Sequence, residues 1–267
     1  MNLTAVYMAA GRASRFGGRI KALIQIGPNN ETLMGLSMQQ AKQAGFNKFV
    51  IIASPQTLES LKEVYKDNFL ENSVEYCIQE TPDYREKPFG TSHALLSAKE
   101  FVKEPFIVLN SDDLYGKNTM KYIANYLKIT ESGYCLPGYK LKNVLSKHGG
   151  VNRGIIKIDS ENYMEGIKET FDILKKDVGT NYSGEELISM NLFGLQPDFF
   201  NYLEEALKKF LKEHPNDPKT EFLLPNSVSN FKNEKDTKIK VVPTDDIWIG
   251  VTNPEDEEKM REQLKNS

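Results

Sequence analysis

Thr4-Ala-Val-Tyr-Met-Ala-Ala-Gly-Arg-Ala-Ser-Arg-Phe-Gly-Gly-Arg-Ile-Lys21 is the stretch that decides how the chain folds. Its first part, Thr4 to Ala10, is an apolar run, the pattern of a parallel strand buried on both faces. The run breaks into small residues, and the loop that follows carries Gly11, Arg15, Gly17, Gly18 and Lys21. Small residues after a strand let backbone N–H groups approach phosphate oxygens, and Arg15 and Lys21 supply counter-charge. A polyphosphate suits such a loop. Taken alone, so does the plainer reading of a surface turn with solvated basic residues. The loop is not a P-loop, because no Gly-Lys-Ser/Thr closes it. Gly11-x-Ala13 also lacks the second glycine of a dinucleotide-binding turn.

The chain of 267 residues has room for one sizeable α/β domain, expected to span 1–267, with a first half (1–131) and a second half (132–267). Charged residues make up 27 % but nearly cancel to a net −3, which argues against nucleic acid as the main partner. No run approaches the roughly 18 apolar residues of a membrane span, so no membrane partner is expected. The N-terminus enters a strand with no signal-peptide pattern, and Cys77 and Cys135 fall in predicted strands without metal-ligand spacing. Core thiols in a reducing cytoplasm are the expectation. The three histidines are scattered and form no cluster.

Strand and helix signals alternate through the first half. Lys48 to Ser54, Val74 to Gln79 and Pro105 to Leu109 read as further strands, and 31–45, 91–101 and 118–131 as helices, with another opened by Pro55. Alternation at this spacing predicts a Rossmann-like, doubly wound sheet with helices on both faces. Ligands collect at the carboxyl ends of such strands, where Gly11, Gln79 and Asp112 all fall. The second half reads as strands at 132–139, 154–159, 163–168 and 188–195, antiparallel additions that make the sheet mixed. It also holds a mobile polar loop at 175–186, an amphipathic helix at 199–213, short strands at 239–242 and 247–251, and a terminal helix from Pro254.

Two polar groupings have alternative readings. Thr91, opening a helix after Gly90, suits an ordinary helix cap that accepts a backbone N–H. Asp112 and Asp113 at a strand end suit a solvated turn, or the oxygen ligands a hard cation needs beside a phosphate.

Met8-Ala-Ala-Gly-x-x-Ser-Arg-Phe-Gly17 followed by Lys21, Gln79, Pro88-x-Gly-Thr-x-x-Ala94 and Val108-Leu-Asn-Ser-Asp112 together resemble the nucleoside-diphosphate-sugar pyrophosphorylases, the sugar-1-phosphate nucleotidyltransferases. The likeness runs in order over roughly residues 3–194, with a weaker echo in Trp248-Ile-Gly-Val-Thr-Asn-Pro-Glu-Asp256. It implies a Rossmann-like domain that binds an NTP (UTP, dTTP or CTP) and a sugar 1-phosphate side by side with Mg²⁺. It implies that Ala10, Gly11 and Gln79 hold the base, and Gly90 and Thr91 the base and ribose. Arg15 would lie on the β- and γ-phosphates and Lys21 near the α-phosphate and the incoming sugar phosphate, Asp112 would bind the metal, and Gly154, Glu169 and Asn191 would touch the sugar.

Three positions depart from that pattern. Gly11-x-Ala13 replaces Gly-x-Gly, and Thr170 stands where a lysine often follows the sugar-contacting glutamate. Trp248-Ile-Gly250 replaces the Trp-x-Asp of a second metal ligand, so Asp246 or Asp245 is expected to take that role. The left-handed β-helix that some members append is absent, so acetyl transfer is not expected. The implied chemistry needs no catalytic base, since a sugar phosphate is already ionised near neutral pH. A cytidylyltransferase acting on phosphocholine is the alternative, with Tyr139, Tyr163, Phe171, Tyr182 and Phe193 as candidate cation–π partners. A glycosyltransferase and a non-catalytic nucleotide sensor fit less well, because Arg15, Lys21 and Asp112 occur together. A homo-oligomer is compatible with the sequence.

Overall fold

In a computed structural model, β1 (Thr4–Met8) lies in the middle of a mixed sheet. The structure describes residues 1–11, 18–130, 132–146, 149–250 and 256–265. Along the chain follow α1 (Leu33–Ala44), β2 (Lys48–Ala53), α2 (Leu58–Tyr65), β3 (Asn68–Phe69) and β4 (Asn72–Ile78). Then come α3 (Thr91–Leu96), β5 (Phe106–Asn110), β6 (Asp113–Leu114), α4 (Lys117–Ile129) and β7 (Tyr134–Lys140). The second half holds β8 (Val151–Ile158), β9 (Met164–Ile173), β10 (Leu187–Ser189), β11 (Phe193–Leu195), α5 (Phe199–Glu213) and α6 (Leu224–Glu234). It closes with β12 (Ile239–Thr244), β13 (Ile249–Gly250) and α7 (Asp256–Lys265).

The main sheet runs β3-β4-β2-β1-β5-β11-β7-β10-β8-β9, with β12 paired to β7 off that path. β4, β2, β1 and β5 are mutually parallel, and β11 joins β5 antiparallel, so the mixed α/β sheet read from the sequence is present. Side chains alternate faces along a strand. Ala5 and Tyr7 of β1 therefore pack into one apolar layer, with Met34 and Met38 of α1 and Ile123 of α4. Val6 enters the other, with Leu95 of α3, Phe200 of α5 and Val228 of α6. That is why β1 reads as an unbroken apolar run.

Several boundaries differ for local reasons. α1 begins at Leu33 because Thr32 Oγ1 accepts the Gly35 N–H, and it ends at Gly45 in the left-handed region (φ 102°). α2 starts three residues after Pro55, since the Thr57 hydroxyl accepts from Ser54 N and donates to the Ala9 carbonyl. The single strand expected over 188–195 is two short strands, broken where Asn191 turns left-handed (φ 58°). The 175–186 segment is tied together by Glu186, whose carboxylate accepts from Ser183 N and Gly184 N. α6 was not legible in the sequence. Pro254 and Val251 lie outside the described residues. Among the described residues no helix is long and apolar enough to cross a membrane.

Candidate active site

The carboxyl ends of β4, β1 and β5 form one rim, and the start of the antiparallel β11 is added beside β5 by the Phe193–Val108 register. On this rim a cavity of about 250 Å³ is lined by Lys21, Asp112, Gly154, Glu169 and Asn191, five of the expected residues. Lys21 opens a 3₁₀ turn after the first loop and Asp112 follows β5. Their side chains meet at 3.2 Å, each still partly exposed.

Gly154 and Glu169 are direct partners in the β8–β9 ladder. A Cβ at 154 would stand 2.8 Å from Ile167 Cγ2 and 3.1 Å from Glu169 Oε1, so the missing side chain is the space the glutamate occupies. Gln79, Gly90 and Thr91 gather away from that cavity. Gln79 is buried and its amide donates to the Gly90 carbonyl at 2.9 Å. Gly90 sits at φ 117°, with its Cα so close to Phe222 that a side chain would stand 2.9 Å from that residue's carbonyl. Thr91 does accept a backbone N–H, but from Leu224 at the start of α6 rather than within its own helix. Ala10 and Gly11 follow β1 directly. Arg15 lies outside the described residues.

Asp246 is not among the residues that line the cavity with Asp112. The Asp246 carboxylate accepts from Thr119 N at 2.7 Å and from the Asn118 amide at 2.9 Å, holding the first turn of α4. Both oxygens thus serve the first turn of α4, a role other than the metal ligation expected of this residue. Asp245, the other candidate, pairs with Lys140. At the position of the missing aspartate, β13 pairs Gly250 with Asp113 of β6. A Cβ there would overlap the Trp248 ring and lie 2.5 Å from Asp113 Oδ1. Asp113 thus occupies the neighbourhood that a side chain at 250 would fill.

Asp113 is buried, accepting from the Asn110 amide at 2.8 Å and the Tyr115 hydroxyl at 3.2 Å. Desolvation and the Asp112 charge push its pKa up to about 7, against those hydrogen bonds. The Trp248 indole N–H adds a weak pull in the same direction without closing a hydrogen bond.

Asp113, weighed with Asp112 as a cation ligand, also lines the cavity, as do Asn110, Arg153, Ser189 and Trp248, which the sequence reading gave no role. Of these four, only Arg153 could have been flagged, by its adjacency to Gly154. Ser189 Oγ and Trp248 Nε1 are buried with no hydrogen-bond partner among the described residues. Of the five aromatics considered for a quaternary ammonium, none lines the cavity, and Tyr139 and Phe193 are core. Trp248, the aromatic that does, has Arg153 over its ring at 5.4 Å. A larger groove of about 1170 Å³ beside α5 and α6 holds Tyr163 but none of the residues expected at the nucleotide, sugar or metal.

The cavity sets a lysine and an arginine beside carboxylates and two orphan donors, at the strand ends of a doubly wound sheet. The family model for nucleotidyl transferases matches residues 4–224. The chain belongs to that family, the sugar-phosphate nucleotidyltransferases that its motifs resemble. A D-glycero-α-D-manno-heptose 1-phosphate guanylyltransferase from Campylobacter jejuni is 27 % identical over 250 residues, covering 90 % of this chain and 92 % of that protein. Among solved structures, a putative glucose-1-phosphate thymidylyltransferase from Bacillus anthracis superposes with TM-score 0.73 at 14 % identity, over 99 % of this chain and 96 % of that one. A UDP-glucose pyrophosphorylase holding UDP-glucose gives 0.68 at 19 % identity, over 100 % and 99 %. These two structures share the fold.

Proposed function

We propose that the protein transfers a nucleoside monophosphate from an NTP to a sugar 1-phosphate, releasing pyrophosphate and forming a nucleoside diphosphate sugar. The observation that carries this is the convergence of Lys21 and Asp112, 91 residues apart in sequence, with Gly154, Glu169 and Asn191 around one cavity. The unpartnered Ser189 hydroxyl and Trp248 indole N–H suit an acceptor rich in hydroxyls, because each buried polar atom gains by being paired.

On this reading Ala10, Gly11 and Gln79 hold the base, and Gly90 and Thr91 the base and ribose region. Lys21 sits between the α-phosphate and the acceptor, and Arg15 takes the β- and γ-phosphates as its motif implies. The acceptor phosphate, already ionised, attacks the α-phosphorus; the P–O bond to the β-phosphate breaks and pyrophosphate leaves. Lys21 offsets charge developing on the phosphoryl oxygens and holds the reactants in line.

The residue that would hold Mg²⁺ is Asp112, a partly exposed carboxylate at the cavity beside Lys21. Such a donor suits a hard cation that keeps waters and takes further oxygens from a nucleotide. When bound, the metal would supply Lewis-acid polarisation of the phosphates. Glu169 and Asn191 orient the sugar. Cys77 and Cys135 are free and buried, which suits a reducing cytoplasm, and we read the chain as one catalytic domain.

The test is pyrophosphate release with each of UTP, dTTP, CTP, ATP and GTP against glucose 1-phosphate, N-acetylglucosamine 1-phosphate, D-glycero-α-D-manno-heptose 1-phosphate and phosphocholine, with and without Mg²⁺. GTP and the heptose phosphate join the panel because of the Campylobacter relative. Turnover with a sugar 1-phosphate is expected; turnover with phosphocholine alone would overturn the reading.

A further inference from the structure

Arg153 is the cation in this cavity that the sequence reading left without a role. It belongs to β8, next to Gly154, and lines the cavity with Lys21, Asp112 and Glu169. Its directly opposite partner in the β8–β9 ladder is Thr170, a neutral side chain. Three guanidinium N–H groups donate to backbone carbonyls. Nε and Nη2 reach the Val144 oxygen at 3.1 and 2.7 Å, and Nη1 reaches that of Asn152 at 3.0 Å. One N–H on each of Nη1 and Nη2 is left over.

The guanidinium lies over the Trp248 ring, which fixes its plane. Among the described residues no carboxylate lies within ion-pair distance of it, although Asp113 acts on it from further off. Burial makes the charged form less favourable than in water.

A half-buried guanidinium held by carbonyls, with spare N–H groups and no paired carboxylate, costs free energy unless an anion completes it. Carbonyl oxygens orient the fork without neutralising it, which is the arrangement a planar cation needs to meet a phosphate with two N–H groups. Lys21, by contrast, already has Asp112 at 3.2 Å. The geometry points to Arg153 as the residue that binds the phosphate of the phosphorylated acceptor, in the cavity it shares with Lys21. This rests on the function proposed above. The nucleotide's own phosphates belong to the first loop, so Arg153 discriminates phosphorylated from unphosphorylated acceptors.

The experiment compares wild-type protein with Arg153→Gln and Arg153→Lys in steady-state pyrophosphate release, using whichever sugar 1-phosphate the wild type turns over. In R153Q the acceptor KM is expected to rise about 10- to 100-fold, the range of a lost charged hydrogen bond, with the nucleotide KM changed less than about twofold. R153K should recover part of the loss, since it keeps the charge but not the fork. An unchanged acceptor KM in R153Q overturns the inference. So does an equal rise in both KM values together with a lowered unfolding midpoint, the signature of a merely structural arginine, and so does an R153K that recovers nothing.

A second arm separates this inference from the function itself. Inorganic phosphate is titrated onto wild-type and R153Q protein by calorimetry, with no turnover required. At least tenfold weaker binding in R153Q supports the assignment even if no tested sugar phosphate reacts. Equal binding overturns it even if the wild-type enzyme is active.

Discussion

Lys21 Nζ and Asp112 Oδ2 stand 3.2 Å apart, joining the end of the first loop to the end of β5. Their side chains are 27 % and 30 % exposed, so the pair itself contributes at most about 1 kcal/mol to stability. On the proposed function its weight falls on the bound state, with Lys21 facing phosphate and Asp112 a cation. Lys21→Ala and Asp112→Ala are each expected to fold normally while pyrophosphate release drops about 10²- to 10³-fold. Near-wild-type release from either variant, with an unchanged unfolding midpoint, would remove this pair from the chemistry.

Gly154 offers a gentler probe of the acceptor side. A Cβ there would press on Ile167 and on Glu169 Oε1, both side-chain atoms that can yield, so Gly154→Ala should stay folded. Its effect should be to turn the Glu169 carboxylate away from the cavity. Losing one hydrogen bond to a charged group corresponds to about 1.5 kcal/mol, roughly a tenfold rise in acceptor KM. Kinetics run against acceptor and nucleotide in turn would show it; a rise confined to the nucleotide would assign Gly154 to the other substrate.

His93 sets a pH dependence of folding. Its ring packs edge-on to Phe89 at 5.3 Å and lies 3.4 Å from the Gln79 amide nitrogen, and burial together with the Arg85 charge lowers its pKa. The native state then binds fewer protons on this group than the unfolded chain does. Stability therefore rises with pH through this window, and it is lost as pH falls below the ordinary histidine value of 6.5 toward the lowered native one. Denaturant midpoints of wild type and His93→Gln at pH 7.5 and 5.5 check the sign. The wild type should lose more on acidification than the variant, and parallel losses would show that His93 titrates normally.

What the sequence revealed and what it hid follow from the range of each interaction. Gly11, Gln79 and Asp112 were legible because strand ends of a parallel sheet converge by topology alone, so an apolar run followed by small or acidic residues is enough. Asn191, expected to touch a sugar, lines the cavity, although the hydrophobic pattern around it reads as one continuous strand. A left-handed asparagine breaks a ladder without leaving any gap in the hydrophobic pattern. Arg153 was missed because its surroundings depend on the β8–β9 register and on Trp248, 95 positions away. α6 was missed because its start at Leu224 is held by Thr91, a cap donated from the other half of the chain.

Asp246 is the contrasting case, a residue expected at the metal from its nearness in sequence to Trp248. β13 instead returns beside β6, and Asp246 is left at the first turn of α4 with Thr119 N and the Asn118 amide. A carboxylate there satisfies donors that a helix N-terminus leaves open and lies favourably in its dipole. Asp246→Ala is thus expected to lower stability by about 1 kcal/mol, a few degrees in Tm for a domain of this size, while pyrophosphate release stays comparable to wild type. The contrast with Asp112→Ala is what matters, since two ligands of one metal should fail alike. Thermal unfolding and turnover measured on both variants decide it. A collapse of activity in Asp246→Ala with an unshifted Tm would put the residue back at the metal, by way of a rearrangement of the segment from Thr244 to Gly250.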